Sequence, residues 1–389
     1  MLFPKSVILG LAALAAAHPG HEEHERRQAI AARATYAANK AALDRCADQL
    51  EARGIYSRAV KRREAEVMKQ RIARQIPAGG ESIEIVGGDH RESYMANERV
   101  LAEYRKRNVV KRDTTSIANK DHNLTSSVDI GQALSDPHYV FSAAGSTVLS
   151  PEGEVGPFYV PGELVRSDIR EDEPGVVNIV EAQFIDVNTC EPVTDGWFDI
   201  WNANTTGTYS GVHSEMNQGD YGDLSNLNNT ALRGIQPTDH EGVTKFTTIF
   251  PGHYEGRATH LHVAFHQNAT VLSNGTLTGG HVSHIGQFFW DQDLIDEIEA
   301  TSPYTTNTAE TTLNVDDHVF GEQETANSTA DPVFNYVYLG DDVTQGLFTW
   351  IVVGVNSSAT YTPTYSFAYG SGGGVEVPSN NTGLGAATS

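Results

Sequence analysis

The chain has 389 residues, 39% of them hydrophobic, which is enough to bury a core and excludes a wholly disordered protein. Its 27 Lys and Arg and 50 Asp and Glu are segregated. Residues 1–112 hold 21 of the basic and 14 of the acidic side chains, a net of +7, which leaves 6 basic and 36 acidic ones beyond, a net of −30. So acidic a body lacks the cations that neutralise phosphate, which excludes nucleic acid and anionic membranes as partners.

In chain order, residues 1–17, MLFPKSVILGLAALAAA, read as a secretory signal peptide: Lys5, an apolar run from Val7 to Leu14, then Ala15, Ala16 and Ala17 as a small-residue cleavage site. The run is far shorter than the roughly 20 apolar residues a membrane span needs. A secreted, extracellular, soluble mature chain is expected. Asn-x-Ser/Thr sequons at Asn123, Asn204, Asn228, Asn268, Asn274, Asn327, Asn356 and Asn380 agree with that route. Cys46 and Cys190 are the only cysteines, so no disulfide framework exists and one bridge between them stays open.

Residues 18–112 form a basic, mainly helical region. From about 25 to 75 it is rich in Ala, Glu, Arg, Lys and Gln, with Gly54 as a C-terminal stop, and a second charged stretch runs from Glu92 to Lys106. The region ends at Lys111-Arg112, which reads either as a processing site of a basic pro-segment or as ordinary surface charge. Residues 113–149 read as a linker. Beyond 150, short runs rich in Val, Ile, Phe, Tyr and Thr are separated by Gly, Pro, Asn and Asp. They place strands at Val176–Val187, Trp197–Asn202, Lys245–Phe250, His260–His266, Ile285–Trp290 and Leu347–Val355. No helical patterns alternate with them, so residues 150–368 are expected to form a mainly-β domain, an antiparallel β-sandwich with long loops. Residues 369–389 read as a flexible, low-complexity tail.

The chemistry concentrates in FPGHYEGRATHLHVAFH, where four imidazoles, a phenol and a guanidinium fall between His253 and His266. On a strand, His260 and His262 share a face and can bind one ion, while Leu261 and Val263 point to the core. Arg257, one of six cations in the acidic body, lies three residues before His260. Tyr254 follows the turn pair Pro251-Gly252. Upstream, DIWNANTTGTYSG carries Tyr209 just past Gly207. Imidazole is a general transition-metal ligand and phenolate oxygen favours Fe(III).

Trp201, Ala203, Asn204, Gly207, Tyr209, Pro251, Gly252, Tyr254, Arg257, His260 and His262 together resemble the intradiol ring-cleavage dioxygenases, such as catechol and protocatechuate dioxygenases. Gly156-Pro157-Phe158-Tyr159 resembles a pocket wall of that family, and Ile285-Gly286-Gln287-Phe288-Phe289 its Gln-bearing strand. The resemblance covers about residues 150–300. It implies an antiparallel β-sandwich in which Tyr209, Tyr254, His260 and His262 hold Fe(III), with two phenolates and one hydroxide balancing its charge. It further implies that Tyr254 departs when substrate binds, that Arg257 stabilises negative charge on the ring, and that Gln287 positions Arg257. Tyr159 and Trp201 are the residues it places at the substrate. The partners implied are a catechol-type small molecule and O2, and the product a muconate-type diacid; a homodimer stays open. Two departures bear on the substrate: a shorter interval from Tyr254 to His260, which implies a more open site, and Asn202-Ala203 where many secreted relatives carry His-Cys, which removes a partner for Cys190.

Two other readings compete. A different metalloenzyme would use His260 and His262 with a carboxylate for Fe(II), or with a third histidine for zinc, and would leave both tyrosines without a role. A secreted β-sandwich binding module would grip polysaccharide or phenolic polymer through its aromatic residues. His253 and His266 read as surface or supporting residues, His253 near the opening.

Overall fold

The computed structural model describes residues 38–76, 117–125, 141, 146–147, 155–219, 222–323, 331–363, 365–370 and 373–377. The expected signal peptide, the Lys111-Arg112 pair and the sequons at Asn327 and Asn380 lie outside the described residues. Among the described residues no helix is long and apolar enough to cross a membrane.

Helix α1 (38–52) and helix α2 (Ile55–Ala73) come first, separated at Gly54, whose φ of 67° is the left-handed conformation that ends one helix and starts the next. The strands follow: β1 (Ser146–Thr147), β2 (Val177–Asp186), β3 (Glu191–Pro192), β4 (Gly196–Trp201), β5 (Arg233–Pro237), β6 (Val243–Ile249), β7 (His260–Gln267), β8 (Thr270–Val271), β9 (Leu277–Thr278) and β10 (His281–Phe289). Helix α3 (Gln292–Glu299) and helix α4 (His318–Gln323) precede β11 (Asn335–Tyr338), β12 (Leu347–Val355), β13 (Phe367–Gly370) and β14 (Gly373–Glu376).

Two sheets pack face to face, giving the mainly-β sandwich that the strand pattern predicts. In the first, β12 and β2 lie at the centre, flanked by β11 and β1 on one side and by β6 and β3 on the other. The second runs β10-β7-β4-β5 and is antiparallel throughout. Alternate side chains of each sheet meet in one core: Val180, Ala182, Phe184, Phe246, Ile351 and Val353 from the first, Phe198, Ile200, Leu261, Val263, Phe265 and Phe288 from the second. Burying such a side chain stabilises the fold by about 1.5–3 kcal/mol. Truncating a ring such as Phe184 to Ala should cost about 3–5 kcal/mol.

The first sheet is not purely antiparallel, contrary to expectation: β12 runs parallel to β2 from Leu347 to Val355, and β1 runs parallel to β12. LFTWIVVGV is apolar almost without alternation, as suits a strand covered on both faces. The outer cover is the N-terminal region. Val60 and Val67 of α2 pack on Ile179, Phe348 and Trp350, and Leu43, Cys46 and Leu50 of α1 on Ile185 and Val352. Helices α1 and α2 are therefore a third layer on the first sheet. Cys46 and Cys190 form a disulfide across that contact, which settles the bridge that the sequence left open.

Two boundaries also move. The β13–β14 hairpin carries ordered structure to Glu376, past the expected start of the tail, because Tyr369 docks on Asn229 and Gly374 N donates to Asn228 Oδ1. Residues 117–125, expected in a linker, pair with β11 through Leu124 N, which donates to Tyr336 O. Strands β5 and β11 escaped the sequence reading because RGIQP carries Arg, Gly and Pro, and NYVY is too short to show a period.

Candidate active site

The outer face of the second sheet carries the chemistry, and strand register puts it there. Leu261 and Val263 face the core, so His260 and His262 face outward. One cross-strand row through His262 reads Gln287, His262, Trp201, Arg233 on β10, β7, β4 and β5. Side chains in such a row stand on one face.

Three loops close over this face. The first, after β4, brings Tyr209 down, 1% exposed. Asn217 fixes it, accepting from Tyr209 N through Oδ1 and donating to Tyr209 O through Nδ2, and Asn226 Nδ2 donates to the same carbonyl. Arg233 Nε and Nη2 donate to Ser210 O, at 3.0 and 2.8 Å. The second, between β6 and β7, brings Tyr254. The two turns seat against each other through glycine: a Cβ on Gly207 would lie 2.2 Å from His253 O, and one on Gly252 would lie 2.4 Å from Thr205 O. The third is Gly156-Pro157-Phe158-Tyr159, in which the Phe158 ring stacks on Tyr209 at 4.5 Å and meets Tyr254 edge-on at 5.8 Å.

His260 Nε2 lies 2.9 Å from His262 Nε2, 3.3 Å from Tyr254 Oη and 3.4 Å from Tyr209 Oη. The Nδ1 of His260 faces Ala258 O at 2.6 Å, which fixes the ring and leaves Nε2 free to offer its lone pair. Burial, then the Arg257 charge, holds the His260 imidazole well below its ordinary range; burial, then His260, does the same to His262, so both rings are neutral. Burial pushes the Tyr254 phenol up to about 12 against the opposing pull of Arg257, and burial followed by Tyr254 pushes Tyr209 well above its usual value. Donors bound about 2.0–2.1 Å from one ion and at right angles stand about 3 Å apart. Two neutral imidazoles and two phenols at these separations fit a metal, and a highly charged one, because only a strong Lewis acid ionises phenols that burial holds protonated. Among the described residues no three His, Cys, Asp or Glu side chains cluster to hold an ion.

Arg257 is mostly buried beside this group. Its Nη1 lies 3.4 Å from Tyr254 Oη, its Nη2 2.5 Å from Gln287 Oε1, and its Nε 2.8 Å from Asp317 Oδ2. Trp201 and Tyr159, which the resemblance places at substrate, pack beside His262. Trp201 is fully buried and stacks on the back of His262 at 5.1 Å, and Tyr159 leans on Trp201 and Tyr365. Phe158 is the ring of that segment that touches the phenols. His253 is 4% exposed, with Nδ1 2.7 Å from Glu299 Oε1, so it anchors α3 rather than lining an opening. His266 lies 3.2 Å from Asp199 Oδ2. Sequence reasoning missed Asp317, Arg233 and Asn217, of which Arg233 left a signal as one of the six cations in an acidic body.

Two phenols and two imidazoles thus converge on one sheet face of a mainly-β sandwich as a candidate metal site, and sequence comparison gives the family. Residues 156–271 match the family model described as Dioxygenase. An intradiol ring-cleavage dioxygenase from Tetranychus urticae is 30% identical, covering 54% of this chain and 96% of its own, with a TM-score of 0.44. The dioxygenase domain of a dioxygenase and carbohydrate-binding protein fusion from Streptomyces sp. SirexAA-E is 22% identical, covering 53% of this chain and 97% of its own, with a TM-score of 0.34. Catechol 1,2-dioxygenase from Pseudomonas arvilla is 18% identical, covering 68% of this chain and 77% of its own, also with a TM-score of 0.34. No curated protein matches. The chain belongs to the intradiol ring-cleavage dioxygenases, oxidoreductases that incorporate both atoms of O2.

Proposed function

We propose that this protein is a secreted, Fe(III)-dependent enzyme that cleaves a catechol-type ring between its two hydroxyl-bearing carbons, with Tyr209, Tyr254, His260 and His262 as the metal ligands. The observation that carries the reading is the convergence of the other three donors within 3.4 Å of His260 Nε2. Bound Fe(III) would take the catechol through both oxygens and withdraw electron density from the ring, opening a ring carbon to O2. Tyr254 is the ligand suited to give way. As a phenolate it would accept a substrate proton at Oη and become the neutral phenol, and Arg257 Nη1 stands beside that oxygen. Tyr209 is held too firmly to leave, by Asn217, Asn226 and the stacked Phe158 ring. Arg257 sits where a guanidinium can stabilise negative charge developing on the ring, with Gln287 as its support. Trp201 and Tyr159 hold the His262 side of the site from behind. The signal-like segment at residues 1–17 and the sequons support secretion. An extracellular site suits plant- or lignin-derived catechols and hydroxylated cinnamates.

The test is oxygen uptake by the iron-replete protein against a panel of catechols, with 18O2 and mass analysis of the product. The expected result is one catechol consumed per O2, with both labelled atoms in an acyclic diacid. No uptake with any catechol would contradict the reading.

A further inference from the structure

We propose that Asp317 is the positioning residue that aims Arg257 at the reacting ring, a role that rests on the catalytic reading above. Arg257 reaches the site from a loop, and a guanidinium on a flexible stem acts on one developing charge only if its orientation is fixed in advance. Two groups fix it. Asp317 takes Nε at 2.8 Å through Oδ2 and Nη2 at 3.4 Å through Oδ1, and Gln287 Oε1 takes Nη2 at 2.5 Å. With that edge of the fork engaged, Nη1 is the end that points at Tyr254 Oη, 3.4 Å away, where substrate is to bind.

Asp317 is itself held without slack. Its side chain is wholly buried, and beyond Arg257 it accepts from Ala258 N at 2.8 Å and from Val319 N and Phe320 N at 2.9 Å each. The last two bonds make it the start of α4, whose Val319 and Phe320 pack on Ala258 and Phe289. Ala258 links the same carboxylate to the proposed metal ligands: its N–H donates to Asp317, and its carbonyl, in the next peptide unit, faces His260 Nδ1 at 2.6 Å. One carboxylate thus supports both the cation and the residue whose carbonyl orients a ligand. Its charge also matters: it cancels that of Arg257 in a dry site and leaves the guanidinium as a donor rather than a bare cation bound to the Tyr254 oxygen.

The test is Asp317→Asn in the iron-replete protein. Asn keeps the shape and remains a good cap for α4 but surrenders the charge and one acceptor. Because Arg257 acts on charge that develops during reaction, the loss falls on kcat, expected to drop about ten-fold or more with KM changed less than about three-fold, at unchanged iron content. The decisive readout is a double-mutant cycle with Arg257→Gln, measured in single turnovers at high enzyme concentration. If Asp317 acts through Arg257, D317N adds little to R257Q. A D317N enzyme with wild-type kcat would overturn the proposal, and so would a D317N effect of undiminished size in the R257Q background, which would mark ordinary structural damage. Wild-type protein that consumes no catechol would overturn the catalytic reading itself, a failure distinct from either of these.

Discussion

At the scale of single residues, the proposed reaction rests its electrostatics on Arg257, whose loss should be specific. Arg257→Ala should lower kcat by about 10²–10³-fold, the usual cost of deleting a donor aimed at developing charge, while iron content holds. Steady-state kinetics beside metal analysis checks this; an equal fall in iron content would instead make Arg257 a structural support of the ligands. The four proposed ligands were legible because their types and spacing are unusual: a His-x-His pair on a strand and two tyrosines just past turn glycines. Asp317 was not, being one of 36 acidic side chains in the body with no motif around it. Only folding brings it 60 residues back along the chain to Arg257. Trp201 and Tyr159 show the converse. Their spacing marks them as belonging to the site, but spacing does not tell a ring that faces substrate from one that backs a ligand.

At the scale of elements, strand register does most of the positioning. Six strands were readable from β-branched and aromatic runs, and the alternation in THLHVAF sets which face of β7 each residue takes. The sequence could not show that β12 joins β2 in parallel, because pairing between distant segments leaves no local pattern. A second junction lies at the end of β10. There the segment 117–125 is clamped by His122, which is 1% exposed, with Nδ1 2.6 Å from Asp291 Oδ1 and Nε2 3.0 Å from Asp331 Oδ2. Burial alone would lower the His122 pKa, but hydrogen bonds to Asp291 and Asp331 outweigh it and raise the pKa to about 9. A pKa raised in the folded state gives stability that is complete below the unfolded value, near 6.5, and is lost as pH climbs through about 9. Melting temperature should therefore fall between those limits, and His122→Gln should remove most of that slope. An unchanged slope in the variant would show that His122 does not carry it.

At the scale of the whole molecule, opposite charge and a disulfide join the N-terminal helices to the acidic body. All six body cations are engaged in ion pairs: Lys120 with Asp331, Arg166 with Glu171, Arg170 with Asp168, Arg233 with Glu163, Lys245 with Glu66, and Arg257 with Asp317. Further cations come from α2, where Arg62 and Arg63 meet the fully buried Glu181, and Arg58 and Arg62 meet Glu241. The sequence showed this charge asymmetry but could not say whether the helices dock permanently. The Cys46–Cys190 bridge spans 144 residues, so replacing both cysteines with Ser should cost about 2–5 kcal/mol in denaturant unfolding. Protein cut between residues 76 and 117 should run as one band on a non-reducing gel and as two after reduction. Two bands without reductant would show that the bridge does not form in solution.

The most direct test of the proposed centre is titration of metal-free protein with Fe(III), followed by visible absorption. Wild-type protein should take up one iron and turn red-brown through tyrosinate-to-metal charge transfer, with the band weakened in Tyr254→Phe and in Tyr209→Phe and absent when both are replaced. A colourless one-to-one complex, or a band indifferent to both substitutions, would contradict a centre built on Tyr209, Tyr254, His260 and His262.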